Sequence, residues 1–468
     1  MGSFDCGIIE RLNSHTVKHY NESQSINHKF EGMKAYWLKS GFFTLLERGT
    51  SLLFGVGTFA LLARSLPKEA YGTWMLYLSV YSFVEVARIG LIKNPLIRSA
   101  HEKGQSFAVV QSTALAINLI TGVLVAIVLY LSRFAIAAMW GAPELAALFE
   151  VYAFGFVLFS IYSHLDFIQA ANMNFRGPSL AIISEKMLFF GGALYVFFYE
   201  GSFPVVRLAW FHLASVSLGI LVSLFWGLRY MRLLRSPKKD VALSLLGYGR
   251  YTLGTNLGAI LLRNIDTWMI GWLMTPTAVA TYNVAMRVAN LFETPTQALA
   301  QILFPKAIQD IKKEGIPAFK RLYERSVALL LLPTIPFTLI VLAFAGPIVL
   351  LLAGPGYDDS APVLMVTMLF GLLIPFNKQL GILMDANGQA RTNMLFVFRN
   401  ALVNTLLNLV FIYHYGVVGA AVATLLTFVI SLFIEQRYAK RHYGIEFINI
   451  FREMGGWVKK IRGGEVGR

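Results

Sequence analysis

The chain has 468 residues, of which 56% are hydrophobic and 14% are charged, and its formal net charge is +15. A soluble domain carries about a quarter of its residues as charges, so this composition excludes a cytosolic enzyme and a secreted protein. The positive charge is therefore interpreted as membrane topology rather than as nucleic-acid binding. A single cysteine, Cys6, excludes a disulfide framework and a multi-thiolate metal site.

The first 40 residues are polar and mixed in charge, and they lack the pattern of a signal peptide. Apolar stretches of the length that crosses a bilayer begin after them. There are twelve, near residues 44–64, 73–92, 107–131, 145–166, 179–199, 205–228, 251–272, 277–299, 326–351, 361–383, 393–414 and 417–436. The predicted fold class is an all-α polytopic membrane protein with about 12 transmembrane helices.

The basic residues predict how these helices are oriented. Of the 41 Lys and Arg residues, thirty fall in the two tails and in the loops on one predicted side, and four fall on the other side. Positive charge marks the cytoplasmic side of a membrane protein. We therefore predict a multi-pass protein of the bacterial plasma (inner) membrane with both termini in the cytoplasm.

Two similar corners divide the chain into halves. Ala171-Asn172 precedes Arg176 in the same way as Ala386-Asn387 precedes Arg391, at an offset of 215 residues. A repeat after six helices preserves orientation, which predicts two pseudo-symmetric six-helix bundles with a substrate site between them. The predicted segments are a cytoplasmic tail (1–40), a first bundle (41–228), a basic cytoplasmic linker (229–250), a second bundle (251–436) and a basic tail (437–468).

The basic tail has two open interpretations. Phe447, Phe451, Met454 and Val458 recur at helical spacing among basic residues, which is typical of an amphipathic helix on the inner leaflet. A disordered basic tail is the alternative.

No nucleotide-hydrolysis loop of the GxxxxGK[ST] type is present, and no cofactor, metal site or enzymatic activity is predicted. Ionisable residues inside membrane spans are costly, so they are the candidates for function. The candidate substrate-binding residues are Arg48, Lys186, Arg263, Arg287, Asn290, Lys378 and Arg399. The candidate carboxylates for binding a coupled H⁺ or Na⁺ are Glu47, Glu85, Asp266 and Glu293.

Structural roles compete with these functions. Arg263 and Asp266 are three residues apart on a helix and could neutralise each other, as could Glu85 and Arg88. The remaining alternatives are that Lys186, Lys378 and Arg399 extend to the inner head groups, and that Asn290, Asn404 and Asn408 bond across helices rather than to sugars. Arg48 and Arg287 have no acid at the spacing that a helical ion pair needs, which favours them as substrate cations.

Several motifs together resemble the polysaccharide and O-antigen flippases of the multidrug/oligosaccharidyl-lipid/polysaccharide (MOP) exporter superfamily. They are Arg48-Gly49-Thr50, Arg64-Ser65-Leu66 with Tyr71-Gly72, Arg88-Ile89-Gly90-Leu91 with Asn94-Pro95-Leu96-Ile97-Arg98, and Arg263-Asn264-Ile265-Asp266 with Tyr282-Asn283-Val284-Ala285 and Arg287. The likeness extends over about residues 41–437. It implies two six-helix lobes with alternating access and a cationic central cavity that includes Arg48, Arg263 and Arg287.

The resemblance also implies a substrate and partners. The substrate would be an undecaprenyl-pyrophosphate-linked oligosaccharide for O-antigen, capsule or exopolysaccharide, moved from the inner to the outer leaflet. Membrane lipids, a polysaccharide polymerase and glycosyltransferases would be partners, and nucleic acid would not. Two alternatives remain: a multidrug or small-solute cation-coupled antiporter of the same superfamily, and an assembly partner of polysaccharide enzymes without transport of its own.

Overall fold

The computed structural model describes residues 42–100, 106–199, 203–232 and 236–462. Every regular element within these ranges is helical. The predicted N-terminal tail, which contains Cys6, lies outside the described residues, as do residues 101–105, 200–202, 233–235 and 463–468. The described part is thus an all-α membrane protein, as the composition predicts.

The described residues of the first half form seven α-helices. They are α1 (Phe42–Ser65), α2 (Lys68–Arg88), α3 (Asn94–Ala100), α4 (Phe107–Met139), α5 (Glu144–Ala171), α6 (Arg176–Phe198) and α7 (Val206–Gly227). A π-helical turn, Ile89–Lys93, joins α2 to α3. Helix α5 packs against α4 and α7, and α6 packs against α7.

In the second half, nine α-helices lie within residues 239–462. They are α8 (Lys239–Leu273), α9 (Pro276–Ala289), α10 (Glu293–Glu314), α11 (Ile316–Ala343), α12 (Ala345–Ala353), α13 (Ser360–Gly371), α14 (Ile374–Ala386), α15 (Ala390–Tyr443) and α16 (Phe447–Arg462). Helix α15 packs against α8, α13 and α14. The backbone of Gly416 has φ 59° and ψ −139°, so α15 consists of two helical legs that meet at this residue.

The count of twelve membrane helices is not confirmed. Among the described residues, eight helices are long and apolar enough to cross a membrane, or nine if the bent pair α13 and α14 is one span. Helix α8 is absent from this set, and Arg263, Asn264 and Asp266 interrupt its apolar stretch. The predicted span at 277–299 is not in this set either, and a 3₁₀ turn at Asn290–Phe292 within it separates α9 from α10.

The repeated corners have the same local structure. Asn172 ends α5 and Asn387 ends α14, and each donates its backbone N–H to carbonyls of the helix that it follows. Arg176 begins the next helix in the first half, and Arg391 is the second residue of the next helix in the second half. Gly201, which the same offset of 215 residues places opposite Gly416, lies outside the described residues.

Helix α2 joins the two halves, because it packs against both α8 and α9. A Cβ atom at Gly72 would lie 1.7 Å from the carbonyl oxygen of Pro276, so the two backbones touch directly. Nearby, the indole of Trp268 donates a hydrogen bond to the Ser79 hydroxyl at 2.8 Å. Lys68 pairs with Asp359 at 2.7 Å at the end of this contact.

Candidate functional site: a cavity between the two halves

Three adjoining cavities lie where α2 meets the second half, and they share lining residues. The central cavity has a volume of about 330 Å³ and lies between α2, α8 and α9. A second, of about 230 Å³, extends toward α13, α14 and α15. A third, of about 200 Å³, lies between α1 and α9. Asn290 lines all three, so the 3₁₀ turn that interrupts the predicted span lies at their junction.

Cationic side chains line this set of cavities. Arg263 lines the central and second cavities, Arg287 lines the central and third cavities, and Lys378 lines the second. All three side chains are exposed to the space that they line. The structure thus brings together Arg263, Arg287, Lys378 and Asn290 of the predicted substrate-binding residues.

Arg287 and Lys378 differ from cations that are held in ion pairs within the protein. Neither side chain has an acidic partner within ion-pair distance in the described ranges, whereas Arg287 lies in electrostatic range of the buried Tyr71 hydroxyl. Charged groups that carry no partner attract an anion most strongly, and the guanidinium fork matches phosphate oxygens. The cavity therefore offers a site for an anionic group.

The remaining predicted cations lie elsewhere. Lys186 pairs with Glu185 at 2.9 Å, and Arg399 pairs with Glu435 at 2.9 Å. Neither residue lines the three cavities. Arg48 is exposed on α1 next to Glu47, outside the residues that line them.

Asp266 has a different environment from the other carboxylates. Its side chain is only 5% exposed, and it accepts hydrogen bonds from Asn408 at 2.6 Å, Thr424 at 2.8 Å and the Tyr282 hydroxyl. These donors are neutral, so they stabilise the carboxylate without cancelling its charge. Helices α8, α9 and both legs of α15 contribute to this cluster, which forms one wall of the second cavity.

The other predicted ion-coupling residues have ordinary partners or are not described. The Glu47 carboxylate accepts a hydrogen bond from Ser179 at 3.0 Å. Glu85 pairs with Arg88 at 3.2 Å, as its spacing on the helix suggests. The side chain of Glu293 lies outside the described residues.

Sequence reasoning missed several polar residues of the cavity. Asn264 and Thr267 on α8 and Asn283 on α9 line its central part. Asn264 and Asn283 lie inside the family-like motifs, but only the crossing of α8 and α9 shows that they share a surface. Asn404, considered for sugar binding or for bonding across helices, lines the second cavity and donates a hydrogen bond to the Thr424 hydroxyl on the other leg of α15 at 3.0 Å.

The comparison with known proteins decides the family. Residues 61–362 match the profile of the family described as polysaccharide biosynthesis protein. The chain belongs to this family. The match is shorter than the predicted range of 41–437, but it contains the motifs around Arg88, Arg263 and Arg287.

Curated relatives support the same assignment. The chain is 26% identical over 234 residues to a probable low-salt glycan biosynthesis flippase of Haloferax volcanii, covering 50% of each chain. It is 22% identical over 354 residues to the amylovoran biosynthesis protein of Erwinia amylovora, covering 74% of this chain and 89% of that one. The chain spans between 41% and 50% of the length of the first three curated relatives that it matches.

Solved structures share the fold. The lipid II flippase MurJ in an inward closed conformation has a TM-score of 0.74 at 15% identity, covering 88% of this chain and 90% of that one. An inward-facing multidrug-resistance MATE transporter of the MOP superfamily also has a TM-score of 0.74 at 15% identity, covering 84% and 94%. The predicted MOP fold is confirmed.

Proposed function

We propose that this protein is a flippase that moves a polyprenyl-pyrophosphate-linked oligosaccharide from the inner to the outer leaflet by alternating access, with the undecaprenyl carrier as the bacterial form. The observation that carries the proposal is the position of Arg287. It is an exposed guanidinium without an acidic partner in the described ranges, at a cavity that Arg263 also lines and whose uncharged polar groups are amides and hydroxyls. Such a site suits a pyrophosphate attached to a sugar.

The apolar residues that line the third cavity support a substrate with a lipid tail. Leu52 and Val56 of α1 are 46% and 37% exposed and line this cavity together with Arg287. An apolar surface beside a guanidinium suits an anionic head group with a hydrocarbon tail. The amides of Asn264, Asn283 and Asn290 on the other side of Arg287 are donors and acceptors for sugar hydroxyls.

Ion coupling is part of the proposal. Asp266 is the best placed of the predicted carboxylates, because neutral donors fix its two oxygens and it lines the second cavity. A buried carboxylate without a paired cation is a site where H⁺ or Na⁺ binding changes the local charge. The coupled ion would thereby bias the relative stability of the two access states.

The proposed setting follows from the predicted topology. The protein would lie in the plasma membrane with both termini in the cytoplasm. It would receive its substrate from glycosyltransferases on that side and deliver it to a polymerase on the other.

The test is transfer of the substrate in proteoliposomes. Labelled undecaprenyl-pyrophosphate oligosaccharide is placed in one leaflet, and its appearance in the other is measured with an ion gradient applied. We expect Arg287→Ala to lower the transfer rate at least about tenfold, since a hydrogen bond to a charged group contributes roughly 1.5–3 kcal/mol. Arg287→Lys should be intermediate, because it keeps the charge but loses the fork.

The matched control is Arg207→Ala, which removes an exposed arginine at the start of α7, outside the residues that line the cavities. Transfer by the wild type and by this control, with loss in Arg287→Ala, would support the proposal. Absence of transfer by folded wild-type protein would contradict it. Transport of cationic drugs in the same vesicles would then indicate that the protein is a drug antiporter.

A further inference from the structure

A groove of about 710 Å³ lies between the end of α15 and the start of α16, away from the central cavities. Tyr443 is the last residue of α15, and Gly444 ends the helix with a left-handed conformation at φ 64°. Helix α16 begins at Phe447. The chain therefore reverses within a few residues, and the two helices form the walls of one groove.

The groove combines an apolar part with a cationic part. Phe433, Arg437 and Lys440 of α15 line it at spacings of four and three residues, so they lie on one face of the helix. Phe433 is 71% exposed, and Arg437 and Lys440 are also exposed. The face changes from apolar to cationic over about 10 Å. Phe447 and Ile448 line the opposite wall and are exposed as well.

Arg437 and Lys440 have no acidic partner within ion-pair distance in the part of the chain that the structure describes. The nearby acids Glu324 and Glu453 are engaged elsewhere: Glu324 accepts from Asn449 at 3.2 Å, and Glu453 pairs with Arg325 at 3.5 Å. Glu446 lines the groove without forming an ion pair. The groove thus has a surplus of positive charge.

Helix α16 is fixed against the second half of the molecule. Ile450 is fully buried, and the ring of Phe447 stacks on Phe376 of α14 with the centroids 5.3 Å apart. The ion pair between Glu453 and Arg325 ties α16 to α11. The amphipathic helix that the sequence suggests is present, and its packing gives the groove a defined wall.

We propose that this groove binds an anionic phospholipid of the surrounding membrane. Its phosphate would contact Arg437 and Lys440, and its acyl chains would lie along Phe433 and Ile448. Cations near a membrane surface attract anionic lipids, and an apolar face beside them accommodates the chains. The bound lipid would contact α15 and α16 at once, so it would stabilise the attachment of α16.

The test is lipid retention measured by native mass spectrometry of the full chain in detergent. Phosphatidylglycerol and phosphatidylcholine are added separately to the wild type and to the double variant Arg437→Gln/Lys440→Gln. We expect retention of phosphatidylglycerol to fall on the order of tenfold in the variant, whereas retention of phosphatidylcholine should change little. The thermal unfolding midpoint of each variant confirms that it is folded.

The control variant Lys312→Gln/Lys313→Gln removes the same charge from two exposed residues in the last turn of α10. Loss in the groove variant alone supports the proposal. Equal loss in both variants, or loss in neither, overturns it. A protein dimer that dissociates in the groove variant without any change in lipid retention would assign the groove to a second copy of the chain, and this also overturns the proposal.

Discussion

The two halves of the molecule differ in how the charged residues of their helices are partnered. In the first half, the helices carry pairs that neutralise each other, namely Glu85 with Arg88, Glu185 with Lys186 and Asp166 with Lys93. In the second half, Asp266 is held by neutral donors, and Lys378 faces the cavity without an acidic partner in the described ranges. Ion pairs also occur there, such as Arg399 with Glu435, Lys320 with Glu324 and Arg325 with Glu453, but outside the residues that line the cavities.

This contrast separates structural charges from functional ones. Two opposite charges in an ion pair largely cancel each other's electrostatic potential, so they attract a ligand weakly. A charge that is stabilised by neutral groups still produces its full potential in the cavity. The first half therefore behaves as a structural frame, and the second half supplies the charged groups that face the cavity. Arg48 is one cation of the first half that departs from this rule, since its neighbour Glu47 accepts a hydrogen bond from Ser179.

The largest expected effect is the loss of folding stability when the ion pair of Glu85 and Arg88 in the first half is broken. Arg88 is 1% exposed and donates to the Phe159 carbonyl at 2.8 Å as well as pairing with Glu85. Arg88→Ala would leave Glu85 without its partner, and we expect the free energy of unfolding to fall by about 3–5 kcal/mol. Denaturation in detergent micelles measures this change.

The control for that experiment is Arg133→Ala. Arg133 lies 3.9 Å from Glu150, a carboxylate that is 51% exposed, so its loss should cost less than about 1 kcal/mol. A similar loss of stability in both variants would show that the buried pair of Glu85 and Arg88 contributes no more to stability than an exposed pair.

The next effect concerns Asp266. Asp266→Asn removes the charge while keeping the size of the side chain, and we expect transport to lose its dependence on the ion gradient, with a rate lowered at least about tenfold. Transport in vesicles with and without the gradient is the measurement. Asp385→Asn is the control, because Asp385 also accepts from a neutral donor, Asn393 at 2.9 Å, but lies outside the cavities. Full coupling in Asp266→Asn would rule out this carboxylate as the ion site.

The smallest expected effect is a change in apparent substrate affinity, which distinguishes Lys378 from Lys186. Lys378→Gln should raise the substrate concentration for half-maximal transport by roughly five- to tenfold, because it removes an unpaired cation from the cavity. Lys186→Gln should leave that concentration unchanged and lower the unfolding temperature instead, because it leaves the buried Glu185 without its partner. Equal effects on transport would erase the distinction between the halves.

The sequence predicted the all-α membrane fold, because bilayer thickness constrains each apolar helix independently of its neighbours. It also predicted the family, because the motifs that carry the resemblance are short and local. The pair of Glu85 and Arg88 was also within reach, since three-residue spacing on a helix is a local property. The partners of Asp266 were not. Asn408 and Thr424 lie 142 and 158 residues away along the chain, and only helix packing brings them to the carboxylate.

The same limit explains why the sequence did not predict the 3₁₀ turn inside the eighth predicted span. Hydropathy averages over a window, so it does not detect that the helix changes to a 3₁₀ turn at Asn290. The side chains of Lys186, Lys378 and Arg399 were equivalent by position in their spans. Their separation into paired and unpaired groups depends on Glu185 and Glu435, and helix α15 presents Glu435 to Arg399 from 36 residues away.

The contact between Gly72 and Pro276 limits how the halves can move. A side chain at position 72 would meet the carbonyl oxygen of Pro276 at 1.7 Å, so the surfaces meet there as bare backbone. Backbone atoms have no rotamers, and such a contact has no intermediate forms in which side chains repack and slide. Any change of access has two options at this point: to rotate about the contact as a fixed fulcrum, or to separate it in a single step.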